Sequence, residues 1–156
     1  MTFAAVSDAG PIIHLSEIAS LELLTVFDEL QIPETVHAEV ESGGIPDGLP
    51  DISYQLVEAE TSNEPQCDLD PGERAALAVA EKQDSVLLTD DLAAREAATT
   101  VDIEVHGSIG VIALGYANGL IDKKEATASM HALQRETSLF VTDAVVERGV
   151  ELLEGH

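Results

Sequence analysis

The sequence predicts an α/β fold in three layers, a central and mostly parallel sheet with helices on both faces. Three observations carry this. Short apolar runs alternate with helical stretches along the whole chain, 156 residues suit one domain spanning 1–156, and acidic residues stand immediately after two of the predicted strands.

The elements follow in order. Phe3 to Ser7 is an apolar run ending at Asp8, and Gly10-Pro11 punctuates before the apolar spacing Ile12, Ile13, Leu15, Ile18, so strand, turn and helix are expected. A helical stretch at Leu21 to Phe27 and a brief strand at Leu30 to Ile32 precede Pro33, where a first helical turn tolerates proline. That helix should end near Glu41, before Gly43-Gly44. Gly/Pro-rich residues 43–50 and the polar stretch Thr61 to Asp68 read as loops around an extended segment at Ile52 to Val57. Asp70-Pro71-Gly72-Glu73 opens a helix through Lys82, Ser85 to Thr89 is a buried strand, and Asp90-Asp91 leads into the helix Leu92 to Thr99. Ile103 to Val105 is expected as a strand, with Ser108 capping a helix to Asn118. Asp122 to Glu136 is helical, and a last strand at Leu139 to Val141 precedes a final helix to Leu153. There is no internal repeat and no low-complexity segment.

Thirty acidic residues face seven basic ones, a formal charge of −23, while the apolar fraction of 45% excludes disorder as the reason. The aliphatic core implied by three Phe, two Tyr and no Trp belongs under a salt-adapted surface, because a Debye length of roughly 3 Å in molar salt screens carboxylates that repel in dilute buffer. A halophile's cytosol is the expected setting. No basic stripe exists for a polyanion, so nucleic acid must be met locally, through metal or a partner. The single cysteine, Cys67, excludes an internal disulfide, and no signal region or membrane-length apolar run is present, so a cytoplasmic protein with no membrane partner is expected.

In an open parallel sheet, ligands gather at the carboxyl ends of strands. Asp8 ends the first strand and either faces the crevice or caps the helix that follows; Asp90 and Asp91 divide the same two roles after Thr89. Glu39 borders the buried stripe of its helix, where a solvated position is the plainer reading. Asp70 and Glu73 have capping-box spacing, which leaves Glu73 free to serve a metal as well. His14, His37, His106, His131 and His156 share no ligand spacing and are read as structural or exposed. Arg95, four residues after Asp91, is read as its intrahelical ion-pair partner, with contact to a substrate phosphate as the alternative.

The segments VSDAGPIIHLSEI, QIPETVHAEVESG, LDPGERAALAVAEK, VLLTDDLAAREAA, GSIGVIALGYANGLI and LFVTDAVVERGVELL, in this order and spacing, resemble the DUF3368 group of PIN-domain nucleases over nearly the whole chain. The resemblance implies a PIN-like fold and a metal site built from Asp8, Glu39, Glu73 and Asp90, with Asp91 as a competing or additional ligand. It implies Mg²⁺ or Mn²⁺, hard ions suited to carboxylate oxygens, water and substrate phosphate. It also implies an endoribonuclease acting on single-stranded RNA, the toxin of a toxin–antitoxin pair, with an antitoxin protein as partner; a homodimer is left open. One departure stands out: relatives commonly read Asp-Thr-Ser-Pro where this chain has Asp8-Ala9-Gly10-Pro11, which removes a hydroxyl expected near the metal. A catalytically weak PIN-fold RNA-binding or assembly module is the alternative function. A phosphatase-like or receiver-like domain fits less well, because a haloacid-dehalogenase phosphatase wants a second Asp where Gly10 stands, and a receiver wants its acid pair after the first strand.

Overall fold

Strand residues alternate between two layers, and the buried clusters sort accordingly. Ala5, Val86 and Leu88 join one core and Val6 and Leu87 the other, as the two-residue period of a strand requires. The computed structural model describes residues 3–58, 69–137, 139 and 141–154. Five parallel strands, β1 (Ala4–Ser7), β2 (Glu29–Pro33), β3 (Gln55–Val57), β4 (Val86–Leu88) and β5 (Val105–His106), lie in the order β3-β2-β1-β4-β5.

Among the described residues seven α-helices cover this sheet: α1 (Ala9–Glu17), α2 (Glu34–Ser42), α3 (Pro71–Gln83), α4 (Leu92–Thr100), α5 (Ser108–Ala117), α6 (Lys123–Glu136) and α7 (Asp143–Glu154). The larger core packs Ile12 and Leu15 of α1 with Ile112, Met130, Leu133, Val146 and Leu153 of α5, α6 and α7. The smaller core packs the alanine-rich faces of α3 and α4, including Ala76, Ala80, Ala94 and Ala98, against Val6 and Leu87. Small residues there let the two helices lie close to the sheet, so the three-layer α/β architecture is the one expected.

Several local expectations are corrected. Gly10-Pro11 makes no turn: both sit in the first turn of α1, where a missing N–H costs nothing. Leu21–Val26 is a 3-10 helix, and its tighter winding keeps Leu21 and Leu24 buried together three residues apart. The extended segment at 52–57 shortens to β3 because the Ile52 N–H closes a preceding 3-10 turn on Leu49. The strand expected at 103–105 starts later, since the Ile103 N–H bonds the Ala98 carbonyl at the end of α4. Ser108 is the first residue of α5, and Gly107 holds the cap position. Leu139 and Val141 form no strand: the Val141 carbonyl accepts from Gln134 Nε2 at 3.2 Å while its side chain packs on the larger core. The loop expected at 61–68, with Cys67, lies outside the described residues, as do Phe140 and His156.

The chain runs outward from β1 through β2 to β3, then returns to the other side of β1 for β4 and β5. The strand order therefore reverses between β1 and β4. Their carboxyl ends flank the crevice where such sheets place ligands.

Candidate functional site

Asp8 follows β1 at this switch point. Its N–H donates to the Leu88 carbonyl at 2.9 Å, which locks the end of β1 to the end of β4. Its Oδ1 accepts the Ala9 N–H at 2.8 Å and its Oδ2 the Thr89 hydroxyl at 2.9 Å, so Asp8 caps α1 and faces the crevice at once. The residue is only 6% exposed. Burial pushes its carboxyl up to about 6, against the two donors, with the charges of Asp70 and Glu39 adding to the rise.

Glu73 opens α3 beneath the same crevice. Asp70 caps the helix by accepting the Glu73 N–H at 2.8 Å, but the Glu73 side chain does not complete the capping box: its Oε2 is buried without a hydrogen-bond partner. Burial first, then a hydrogen bond to Asp70 and the charges of Asp70, Asp91 and Asp8, push this carboxyl up to about 8. Glu39 reaches the same helix end from α2, accepting the Gly72 N–H at 3.1 Å. Glycine lets Glu39 come this close, because a Cβ on residue 72 would lie 2.6 Å from Glu39 Oε2 and 2.8 Å from Oε1 and would displace the carboxylate. Burial raises the Glu39 carboxyl, Asp70 raises it further, and the Gly72 N–H opposes both.

The two acids after β4 divide their roles. Asp91 caps α4, its Oδ2 accepting the Ala94 N–H at 2.9 Å, and its side chain is free of the ion pair expected with Arg95. Asp90 faces the crevice: Oδ1 accepts the Ser108 N–H at 2.6 Å, and Oδ2 meets the Ser108 hydroxyl at 2.6 Å and His14 Nδ1 at 2.8 Å. Gly107 is required for this approach, since a Cβ there would fall 2.8 Å from both Asp90 Oδ1 and Arg95 Nη1.

All five expected acids, Asp8, Glu39, Glu73, Asp90 and Asp91, thus line one cleft of about 270 Å³, together with Asp70 and His14. They share the cleft without sharing one point: among the described residues no three acidic, histidine or cysteine side chains stand ready as a ligand cluster. The donor set nevertheless fits a hard divalent cation. It is all oxygen, it includes the orphaned Glu73 Oε2, and it crowds like charges that a cation would relieve.

Three residues of this site were missed from sequence. His14 was set aside with the other histidines, yet it stands four residues after Gly10 on the face of α1 that meets Asp90; that helical spacing was the available signal. Thr89 and Ser108 supply hydroxyls to Asp8 and Asp90, so the Ala9-Gly10 departure does not leave the carboxylates without hydroxyl partners. Both stand next to strand ends, where a polar residue signals the crevice.

A family model, DUF3368, described as a PIN domain, matches residues 4–154. A solved structure, a PilT N-terminus domain protein from the hyperthermophilic archaeon Sulfolobus solfataricus P2, superimposes with a TM-score of 0.61 at 15% identity, covering 77% of this chain and 97% of that one. At that identity the likeness concerns the fold. A search of curated proteins finds no similar sequence.

Proposed function

The chain belongs to the DUF3368 family of PIN domains, and from that premise we propose that it is a Mg²⁺- or Mn²⁺-dependent endoribonuclease that hydrolyses phosphodiester bonds of single-stranded RNA. PIN domains are generally nucleases that use divalent metals. The observation that carries the reading here is that Asp8, Asp90 and Glu73, with its unpartnered oxygen, line one cleft at the β1/β4 switch point.

Asp8, Glu73, Asp90 and Glu39 are the residues that would hold the ion. A bound cation supplies an acidified water and neutralises charge developing on phosphate oxygens. The protein's own groups do the positioning. Thr89 turns one Asp8 oxygen, while Ser108 and His14 fix the Asp90 carboxylate from three directions. Asp8 Oδ1, Asp8 Oδ2 and Asp90 Oδ1 each accept one bond and keep a further lone pair for a ligand, while Asp90 Oδ2 is engaged by both Ser108 and His14. Asp91 and Asp70, engaged as helix caps, add negative charge at the rim, and Asp70 pins the helix start that carries Glu73. Without a cation, the ionised carboxylates of this cleft repel an RNA phosphate, so substrate entry and metal occupancy are coupled.

The alternative, a catalytically weak RNA-binding or assembly module, is favoured by one feature: among the described residues no three acidic, histidine or cysteine side chains stand together as a ligand cluster. Metal-dependent RNA cleavage by the wild type, lost in Asp8→Asn, discriminates the two. A toxin role with an antitoxin partner, a homodimer, and residence in a salt-rich cytoplasm remain part of the proposal; the acidic surface supports the last, and no described helix is long and apolar enough to cross a membrane.

A further inference from the structure

A second concavity adjoins the acidic cleft. Asp90 and Leu139 belong to both walls, and beyond them a groove of about 720 Å³ runs between the start of α4, the first turn of α5 and the length of α7. Its surface is apolar where the cleft is charged: Leu92, Val145 and Leu152 remain 71%, 48% and 50% exposed in a protein whose surface is otherwise crowded with carboxylates. A volume of this order accommodates a ligand larger than an ion.

The groove also holds two of the chain's four arginines, Arg95 and Arg148. Among the described residues neither has a carboxylate within ion-pair distance, despite the thirty acids available. Arg95 Nη1 and Asp90 Oδ1 flank the same spot above Gly107 without pairing, so this guanidinium stands at the boundary between groove and cleft. Cations left unpaired among the described residues, in a molecule of charge −23, are available to an anion from outside.

We infer that this groove is the path of the single-stranded RNA flanking the scissile phosphate, with Arg95 and Arg148 meeting backbone phosphates and the Leu92, Val145 and Leu152 wall meeting base faces. The inference rests on the proposed nuclease reading for its choice of RNA. Charge complementarity and the walls shared with the cleft favour this occupant over a protein segment. Among its described lining residues there is no Phe, Tyr or Trp, so the wall offers bases mainly apolar contact, which predicts little sequence preference at these positions.

The test uses the full chain with Asp8→Asn, so that RNA survives the measurement, and a labelled single-stranded RNA dodecamer containing 4-thiouridine in Mg²⁺. Arg95→Gln and Arg148→Gln together should weaken binding about tenfold or more. Each single change should flatten the plot of log affinity against log salt by about 0.7. Photo-crosslinks should fall on the α7 segment containing Val145 and Leu152. Unchanged affinity in the double variant, crosslinks confined to other surfaces, or no binding of the dodecamer would each overturn the groove assignment. A shift of the double variant from dimer to monomer with RNA affinity intact would overturn it too, giving the face to a second copy. Cleavage by the wild type is scored separately: binding in the groove without cleavage refutes the nuclease and keeps the groove, and cleavage with unaltered affinity in the variants does the reverse.

Discussion

The Thr89 hydroxyl donates to Asp8 Oδ2 at 2.9 Å and also accepts the Asp91 N–H at 3.2 Å. One fully buried side chain thereby ties the acid after β1 to the acids after β4 across the strand-order reversal.

Thr89→Val keeps shape and removes this link. It leaves a buried Asp8 oxygen without its donor, at a cost of about 1–3 kcal/mol, read as a lower midpoint in urea. Because the hydroxyl orients a candidate metal ligand, Mn²⁺ affinity by calorimetry should fall about ten- to a hundredfold. Unaltered affinity would separate Thr89 from the metal site.

The metal-free protein should lose stability as pH rises. Asp8 binds its proton more tightly folded, about 6, than at its ordinary value of 3.8, so its contribution is fully present below pH 3.8 and is lost as pH rises towards 6. Glu73 extends the same loss from its ordinary 4.5 to about 8. The Asp8 share is about 3 kcal/mol, from roughly 1.4 kcal/mol per pH unit. Asp8→Asn should flatten the curve between pH 4 and 6 and raise the metal-free melting temperature at pH 7. Stabilisation by Mn²⁺ should grow across the same window, because metal displaces those protons. A melting temperature that climbs from pH 5 to pH 8 without metal would contradict the electrostatics described for the cleft.

Gly72→Ala places a methyl 2.6 Å from Glu39 Oε2 and must displace that carboxylate, the mobile end of a side chain. The lost hydrogen bond, about 1 kcal/mol, is offset by the alanine's lower backbone entropy cost, about 0.5–1 kcal/mol. Stability should stay nearly level while metal affinity changes. A fall in stability of several kcal/mol would show that the backbone, not Glu39, had given way.

A charge of −23 on one small domain opposes compaction when unscreened, so melting temperature should rise between dilute buffer and molar potassium chloride. A flat response would remove the salt-adapted reading and leave the fold untouched.

Asp8 and the Asp90-Asp91 pair were legible because strand ends can be read from apolar runs, and parallel sheets put their sites there. Choosing between Asp90 and Asp91 was not possible: one residue of register decides which acid caps α4, and only the Ser108 and His14 contacts, 18 and 76 residues away, show that Asp90 faces inward. Glu39 entered through family resemblance; nothing in its helix announces that it reaches Gly72, 33 residues on. The strand expected at Leu139 to Val141 failed because an apolar run reports burial and not pairing, and Val141 is partly buried against the larger core with its carbonyl taken by Gln134.

The central claim is metal-dependent RNA cleavage at the Asp8–Asp90 cleft. Purified wild type, folded in high salt, should cut single-stranded RNA internally when Mn²⁺ or Mg²⁺ is added and not when it is chelated. Asp8→Asn, which exchanges carboxylate for amide at nearly constant volume, should reduce cleavage below detection while the fold survives. Wild type that leaves a varied panel of RNAs uncut with Mn²⁺ present, or Asp8→Asn that cuts as fast as wild type, would contradict the account.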